Sequence, residues 1–168
     1  MRALVIGLGN DHRGDDAAGL EAARRLAPLL AGEADVRVHP GEPLDLIEAW
    51  ADADLVVIVD AARSGLPPGS VRLYRPRSEA RPPRGLGSSS HAVDLLVALD
   101  LARAIGMAPR ELVLVGVEGE RFTLGAPCSA SVTRALDDVV ERVVHEVRAA
   151  RPTGSETAAP REDGPARA

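Results

Sequence analysis

The run Leu-Val-Val-Ile-Val at residues 55–59, closed by Asp60, narrows the folds open to this chain more than any other feature. An unbroken apolar, β-branched stretch of this length keeps no polar face for water, so it is expected as a central parallel strand covered on both sides. Residues 112–117 repeat the pattern. Parallel neighbours require crossover helices, and apolar residues at helical spacing lie between the runs. Residues 3–6 stop at Gly7 and Gly9, and residues 17–30 are periodic, which reads as strand, glycine loop, helix. Residues 36–38 are expected as a second strand and residues 43–50 as a helix with Leu44, Ile47 and Trp50 on one face. Residues 71–74 read as an edge or antiparallel strand. Residues 75–90 form a Pro, Arg, Gly and Ser loop long enough to have a function. A helix over 91–105 carries Val93, Leu95, Leu96, Leu99 and Ala102, and a closing helix over 128–147 turns Val132, Leu136, Val139, Val140, Val143 and Val147 inward. The alternation predicts an α/β fold, a three-layer αβα sandwich with a mostly parallel twisted sheet. Residues 1–150 are expected to form the domain, and 151–168, which lack an apolar face, a disordered tail.

Composition removes several classes of function. At about 150 ordered residues a fold buries roughly 70% of the surface its unfolded chain exposes, so stability needs neither disulfides nor a structural metal. Trp50, Tyr74 and Phe122 are the only aromatic residues, which leaves little on which to stack bases. All 20 basic residues are Arg, and 25 acidic residues leave a net charge of −5, against the basic field a nucleic-acid binder needs. The absence of lysine excludes a Schiff-base or P-loop lysine. Cys128 is the single cysteine and no C-x-x-C pair exists, so a reducing cytoplasm is the expected compartment. No secretory leader or membrane span is expected, because the N-terminal apolar run is short and no stretch approaches 18 apolar residues.

In open α/β sheets ligands bind outside the carboxyl ends of the strands, which directs attention to residues 7–16, Asp60 and residues 117–120. The opening GLGNDHRGDDAAG invites a dinucleotide reading, but His12 occupies the third glycine position, and Asp11, Asp15 and Asp16 would oppose a pyrophosphate. Asp15 and Asp16 open a helix, where one carboxylate suffices for capping and the other is available to the crevice. Asp60 reads either as a turn-capping residue for the loop after its strand or as a site residue. His91 follows three serines at a helix start, an ordinary first-turn position when taken alone. Together, two carboxylates and an imidazole from separate segments make a mixed oxygen and nitrogen ligand set that suits nickel, zinc or cobalt. His12, His39 and the solvent-facing His145 are weaker candidates. Ser88–Ser90 with His91 lack the G-x-S-x-G elbow of a serine hydrolase. Cys128 at a helix start is read as a small buried or capping thiol.

Four blocks in order, VIGLGNDHRGDDAAG, VVIVDAARSG, SSSHAVDLLVALDLARAIG and LVGVEGERFTLGAPCSASV, resemble the [NiFe] hydrogenase maturation endopeptidases over residues 1–148. The resemblance implies the same αβα sandwich. It also implies an aspartyl-type endopeptidase that trims the C-terminal extension from a hydrogenase large-subunit precursor, acts as a monomer in the cytoplasm, and engages neither nucleic acid nor membrane. The nickel-binding positions of that family correspond here to Asp16, Asp60 and His91, which are therefore the expected catalytic and metal residues. Asp16 stands where several members carry glutamate, and Asp15 is the neighbouring candidate for the role. The resemblance further implies that nickel arrives in the precursor rather than residing in the free enzyme. Two other readings are a peptidyl-tRNA hydrolase-like esterase, whose family also opens on a strand and GLGN, and a nickel-recognition chaperone that binds the precursor without cutting it. The Arg-rich segment 75–84 is a candidate docking surface for an acidic partner.

Overall fold

The structure, a computed structural model, describes residues 1–76 and 90–151, with the backbone alone for residues 90–94. In chain order it runs β1 (Ala3–Leu8), a 3-10 turn (Gly14–Ala17), α1 (Ala18–Leu29), β2 (Asp35–His39), α2 (Pro43–Trp50), β3 (Leu55–Ala62), β4 (Val71–Tyr74), α3 (Ser90–Ala104), β5 (Glu111–Glu118) and α4 (Ala130–Ala149). The sheet has five strands in the order β2-β1-β3-β5-β4. β1, β2, β3 and β5 are parallel, and β4 returns antiparallel along the outer edge of β5. The mostly parallel sheet expected from the apolar runs is present.

Side-chain alternation along the strands divides the interior into two layers. Val5, Val57, Val59, Val113 and Val115 face a core closed by α1 and α4, with Leu26, Leu136, Val139 and Val143 among its members. Leu4, Ile6, Leu8, Val56, Ile58 and Leu114 face the opposite core, closed by α2 and α3 through Leu46, Ile47, Trp50, Leu95 and Leu99. Filling both faces is what makes β3 and β5 uniformly apolar.

Several expected details shift. β3 continues past Val59 to Ala62, so Asp60 lies within the strand, level with Gly116 of β5, rather than at a turn. In α2, Leu44 is 66% exposed and Leu46 is buried in its place. With 3.6 residues per turn, an i, i+3, i+6 series drifts about 60° per step, which carries Leu44 off the face that holds Ile47 and Trp50. α4 starts at Ala130 behind the N-cap Ser129, two residues later than the sequence suggests. Arg75, the first residue of the candidate docking segment, pairs with Glu111 and Glu146. The remainder of that loop, including Arg81 and Arg84, and the tail beyond Arg151 lie outside the described residues.

α1 reaches the sheet through two glycines. A Cβ on Gly19 would fall 2.2 Å from the Leu8 carbonyl oxygen and 2.3 Å from that of Val59, and one on Gly7 would fall 2.1 Å from the Gly19 carbonyl oxygen. All three obstacles are backbone atoms that cannot swing aside. Gly32 has a positive φ of 77°, and a Cβ there would meet nothing within 4 Å, so its constraint is conformational alone. Gly19→Ala should therefore cost more than about 3 kcal/mol, at or above the usual overpacking range, against about 1 kcal/mol for Gly32→Ala. Urea unfolding checks this, and equal costs for the two variants would contradict the close-approach argument.

Candidate active site

The order of the strands creates a switch point. From β1 the chain crosses to β2 on one side, whereas β3 lies on the other, so the crossovers diverge and leave a crevice above the carboxyl ends of β1 and β3. The contacts of Gly19 with the Leu8 and Val59 carbonyls set the start of α1 on that crevice. Asp16 lies one helical turn before Gly19 in the 3-10 lead-in and is only 6% exposed. Its carbonyl accepts the Asn10 N–H and its own N–H donates to the Arg13 carbonyl, each at 3.2 Å. Gly9 makes room for this turn, because its φ is 138° and a Cβ there would meet the Asp16 carbonyl oxygen at 1.8 Å.

Asp60 follows Val59, whose partner on β1 is Gly7, and continues the Val56 and Ile58 row on the α2 and α3 side of the sheet. It is partly exposed at the mouth of the crevice. His91 is in the first turn of α3, and its side chain lies outside the described ones. The far end of α3 is at the amino edge of the sheet, where the Arg103 guanidinium donates to the Pro76 carbonyl at 3.4 Å. α3 therefore directs its N-terminus toward the carboxyl edge. Among the described residues no group of three or more His, Cys, Asp and Glu side chains is assembled around a common point for a metal.

Asp15 does a different job from its neighbour. Its carboxylate is fully buried and accepts the N–H groups of Glu120 and Arg121 at 2.8 Å and of Ser129 at 2.6 Å, which ties the loop after β1 to the loop after β5. Burial alone would raise its pKa, but these donations, with that of the Ser129 hydroxyl, outweigh it and hold the group below the ordinary carboxylate value. The sequence expectation that one of these adjacent aspartates caps the helix is not met by Asp15, which secures a distant loop instead. Gly14 is required beside it: φ is 59°, and a Cβ would lie 2.3 Å from the Arg121 carbonyl oxygen.

Glu118, at the end of β5, is a third buried carboxylate. It accepts the N–H of Ser64 at 2.7 Å, the N–H of Gly65 at 2.8 Å and the Ser64 hydroxyl at 2.6 Å, so Glu118 rather than Asp60 caps the turn after β3. The strand-end rule points to residues 117–120 but gives no role for Glu118, because its partners are more than 50 positions away.

The remaining candidates are accounted for locally. The Cys128 thiol donates to the Gly14 carbonyl at 3.4 Å, and its pKa is raised by burial first and then by Asp15, Glu21 and Asp11. This environment opposes a nucleophilic thiolate. His39 Nδ1 accepts the Gly41 N–H at 2.9 Å, with its pKa lowered chiefly by burial, and His145 is exposed on α4.

Comparison with known proteins decides the family. Residues 41–146 match the family model described as hydrogenase maturation protease. The chain belongs to the hydrogenase maturation protease family. It is 30% identical over 169 aligned positions to the hydrogenase expression/formation protein HoxM of Azotobacter vinelandii, covering 94% of this chain and 80% of that protein. Among solved structures it is similar to the hydrogenase maturating endopeptidase HybD from E. coli, with a TM-score of 0.75, 25% identity and coverage of 89% and 93% of the two chains. The [NiFe] hydrogenase maturation protease HybD from Thermococcus kodakarensis gives a TM-score of 0.68 with 26% identity, over 88% and 99%. The chain is thus an enzyme of the protease class. This removes the peptidyl-tRNA hydrolase reading. No helix among the described residues is long and apolar enough to cross a membrane.

Asp15→Ala should destabilise the fold by roughly 3 kcal/mol, since it strips the acceptor from three N–H groups of which at least one is deeply buried. A carboxylate with a depressed folded-state pKa stabilises at pH above its unfolded value near 4, and that contribution fades as pH falls through the lower folded value. The stability gap between wild type and variant should therefore be constant from pH 5 to 8 and shrink below about pH 4. Denaturation measured across that range tests it, and a gap that widens in acid would be the contrary result.

Proposed function

We propose that this protease removes the C-terminal extension of a [NiFe] hydrogenase large-subunit precursor, and that Asp16, Asp60 and His91 engage nickel already seated in that precursor. One observation carries the reading. Asp16 and Asp60 flank the β1 and β3 switch point, while α3 directs the turn containing His91 toward the same edge. Two carboxylates with an imidazole suit nickel as oxygen and nitrogen ligands. Asp15 is left out of this set, because three backbone N–H groups already occupy its carboxylate.

With nickel supplied by the substrate, the protein has to provide a recessed acidic crevice and a fixed geometry for the scissile segment. Carboxylate donors at the metal would place the peptide carbonyl beside a Lewis acid able to polarise it or to acidify a bound water. A carboxylate of the same pair would be the group to move a proton. The dependence on installed nickel would restrict the cut to loaded precursor.

Purified enzyme mixed with nickel-loaded precursor should lower the precursor mass by that of its C-terminal extension, and nickel-free precursor should remain whole. Asp60→Ala or His91→Ala should slow the cut at least roughly hundredfold, the scale of lost proton-transfer or metal-positioning groups, with circular dichroism unchanged. An intact precursor held in a stable complex with wild-type enzyme would instead establish the non-cleaving chaperone reading. Full activity in both variants would remove the proposed site.

A further inference from the structure

Most arginines among the described residues are committed to ion pairs. Arg24 binds Asp11 and Glu21, Arg25 binds Asp137, Arg142 binds Asp138, and Arg148 binds Glu33. Arg13, Arg72, Arg121 and Arg134 are exposed exceptions, and of these Arg13 and Arg121 lie on the loops after β1 and β5 at the carboxyl edge. Arg13 and Arg121 are exposed, and neither has an ion-pair partner among the described residues. The fold brings them together, because the Gly14 position abuts the Arg121 carbonyl and the Asp15 N–H donates to that same carbonyl at 2.7 Å. A further guanidinium, itself engaged within the protein, comes from the loop after β3, where Arg63 is centred 4.9 Å from the centroid of the Phe122 ring, next in sequence to Arg121. Phe122 is itself seated on Gly119, where a Cβ would meet the ring at 2.6 Å.

Three cations from three separate loops thus converge on the rim of a crevice whose own buried side chains are carboxylates. Asp15 and Glu118 spend their charge on backbone and hydroxyl donors within the protein, which leaves Arg13 and Arg121 facing solvent without neutralisation by those groups. The aromatic seat beneath Arg63 fixes one guanidinium at low entropic cost. In a chain of net charge −5, such a basic rim around an acidic crevice favours a partner that is itself mixed: cationic or metal-bearing at its centre and acidic on the flanks.

We infer that Arg13, Arg63 and Arg121 form a docking rim for acidic side chains of the precursor that flank the segment entering the crevice. This rests on the processing role above for the identity of the partner. Rim charges act mainly on association rate and salt dependence, so these residues steer and orient the substrate and have no part in bond cleavage.

The test measures binding of nickel-loaded precursor to wild type and to the combined Arg13→Glu, Arg63→Glu and Arg121→Glu variant at low and high salt. Association should slow at least roughly tenfold at low salt, with the difference largely gone near 1 M salt, where charges are screened within about 3 Å. Arg110→Glu, an exposed arginine at the opposite edge of the sheet, should bind as wild type does. Precursor carrying Lys in place of the flanking Asp and Glu should bind the triple variant faster than it binds wild type, and that charge-swap rescue guards against a merely misfolded variant. Equal association of wild type and triple variant at low salt, absence of rescue, or tighter retention of transfer RNA than of precursor would each overturn the rim. Arginine-dependent binding without cleavage by wild type would uphold the rim while refuting the processing role. Cleavage with arginine-independent binding would do the reverse.

Discussion

The crevice exists because α1 can lie directly on the backbone of β1 and β3. That approach depends on two missing side chains: Gly19 meets the Leu8 and Val59 carbonyls, and Gly7 meets the carbonyl of Gly19 in return. A methyl group at either position would lift the helix, and with it the 3-10 turn that holds Asp16 at the edge of the sheet. Gly9 and Gly14 extend the constraint upstream, each with a positive φ and a backbone carbonyl where its Cβ would be. The glycines that look like a nucleotide-binding loop in the sequence therefore serve contact between backbones. Close helix and strand packing is one of the uses glycine has in such turns, and here it is the use that fits the acidic neighbours.

Placing so many carboxylates at one edge is electrostatically costly unless each has compensation. Asp15 receives three backbone N–H groups, Glu118 receives Ser64 and Gly65, and Asp11 pairs with Arg24. These attachments also join the loops after β1, β3 and β5 into one surface, since Asp15 bridges the first and third and Glu118 the second and third. Asp16 and Asp60 then stand at the switch point on a frame held from both sides. Rigid support of this kind is what a site needs if it is to hold donors at fixed separation.

Much of this architecture is legible in the sequence. Unbroken apolar runs identify β3 and β5 as doubly covered strands, and helical periodicity locates α1, α3 and α4, because burial on both sides or on one stripe is a local property of sequence. What escapes depends on distance or on short elements. Asp15 and Glu118 act through partners 53 to 114 positions away, and no local pattern reports such pairs. The apolar run stops at Asp60, yet backbone pairing with Gly116, Val117 and Glu118 carries β3 on to Ala62. In α2, eight residues are too few to separate Leu44 from Leu46 by periodicity. The motif positions Asp16 and Asp60 come from a family resemblance joined to the strand-end rule, and the switch-point geometry supplies the physical reason to group them.

The most direct measurement is the position of nickel in a complex of nickel-loaded precursor with the Asp60→Asn variant, located by anomalous X-ray scattering. The account predicts nickel over the carboxyl ends of β1 and β3, at ordinary ligand distance of roughly 2 Å from Asp16 and His91. Nickel found more than about 10 Å from those residues, several times a ligand bond length, in a complex where the precursor is fully bound, would contradict it.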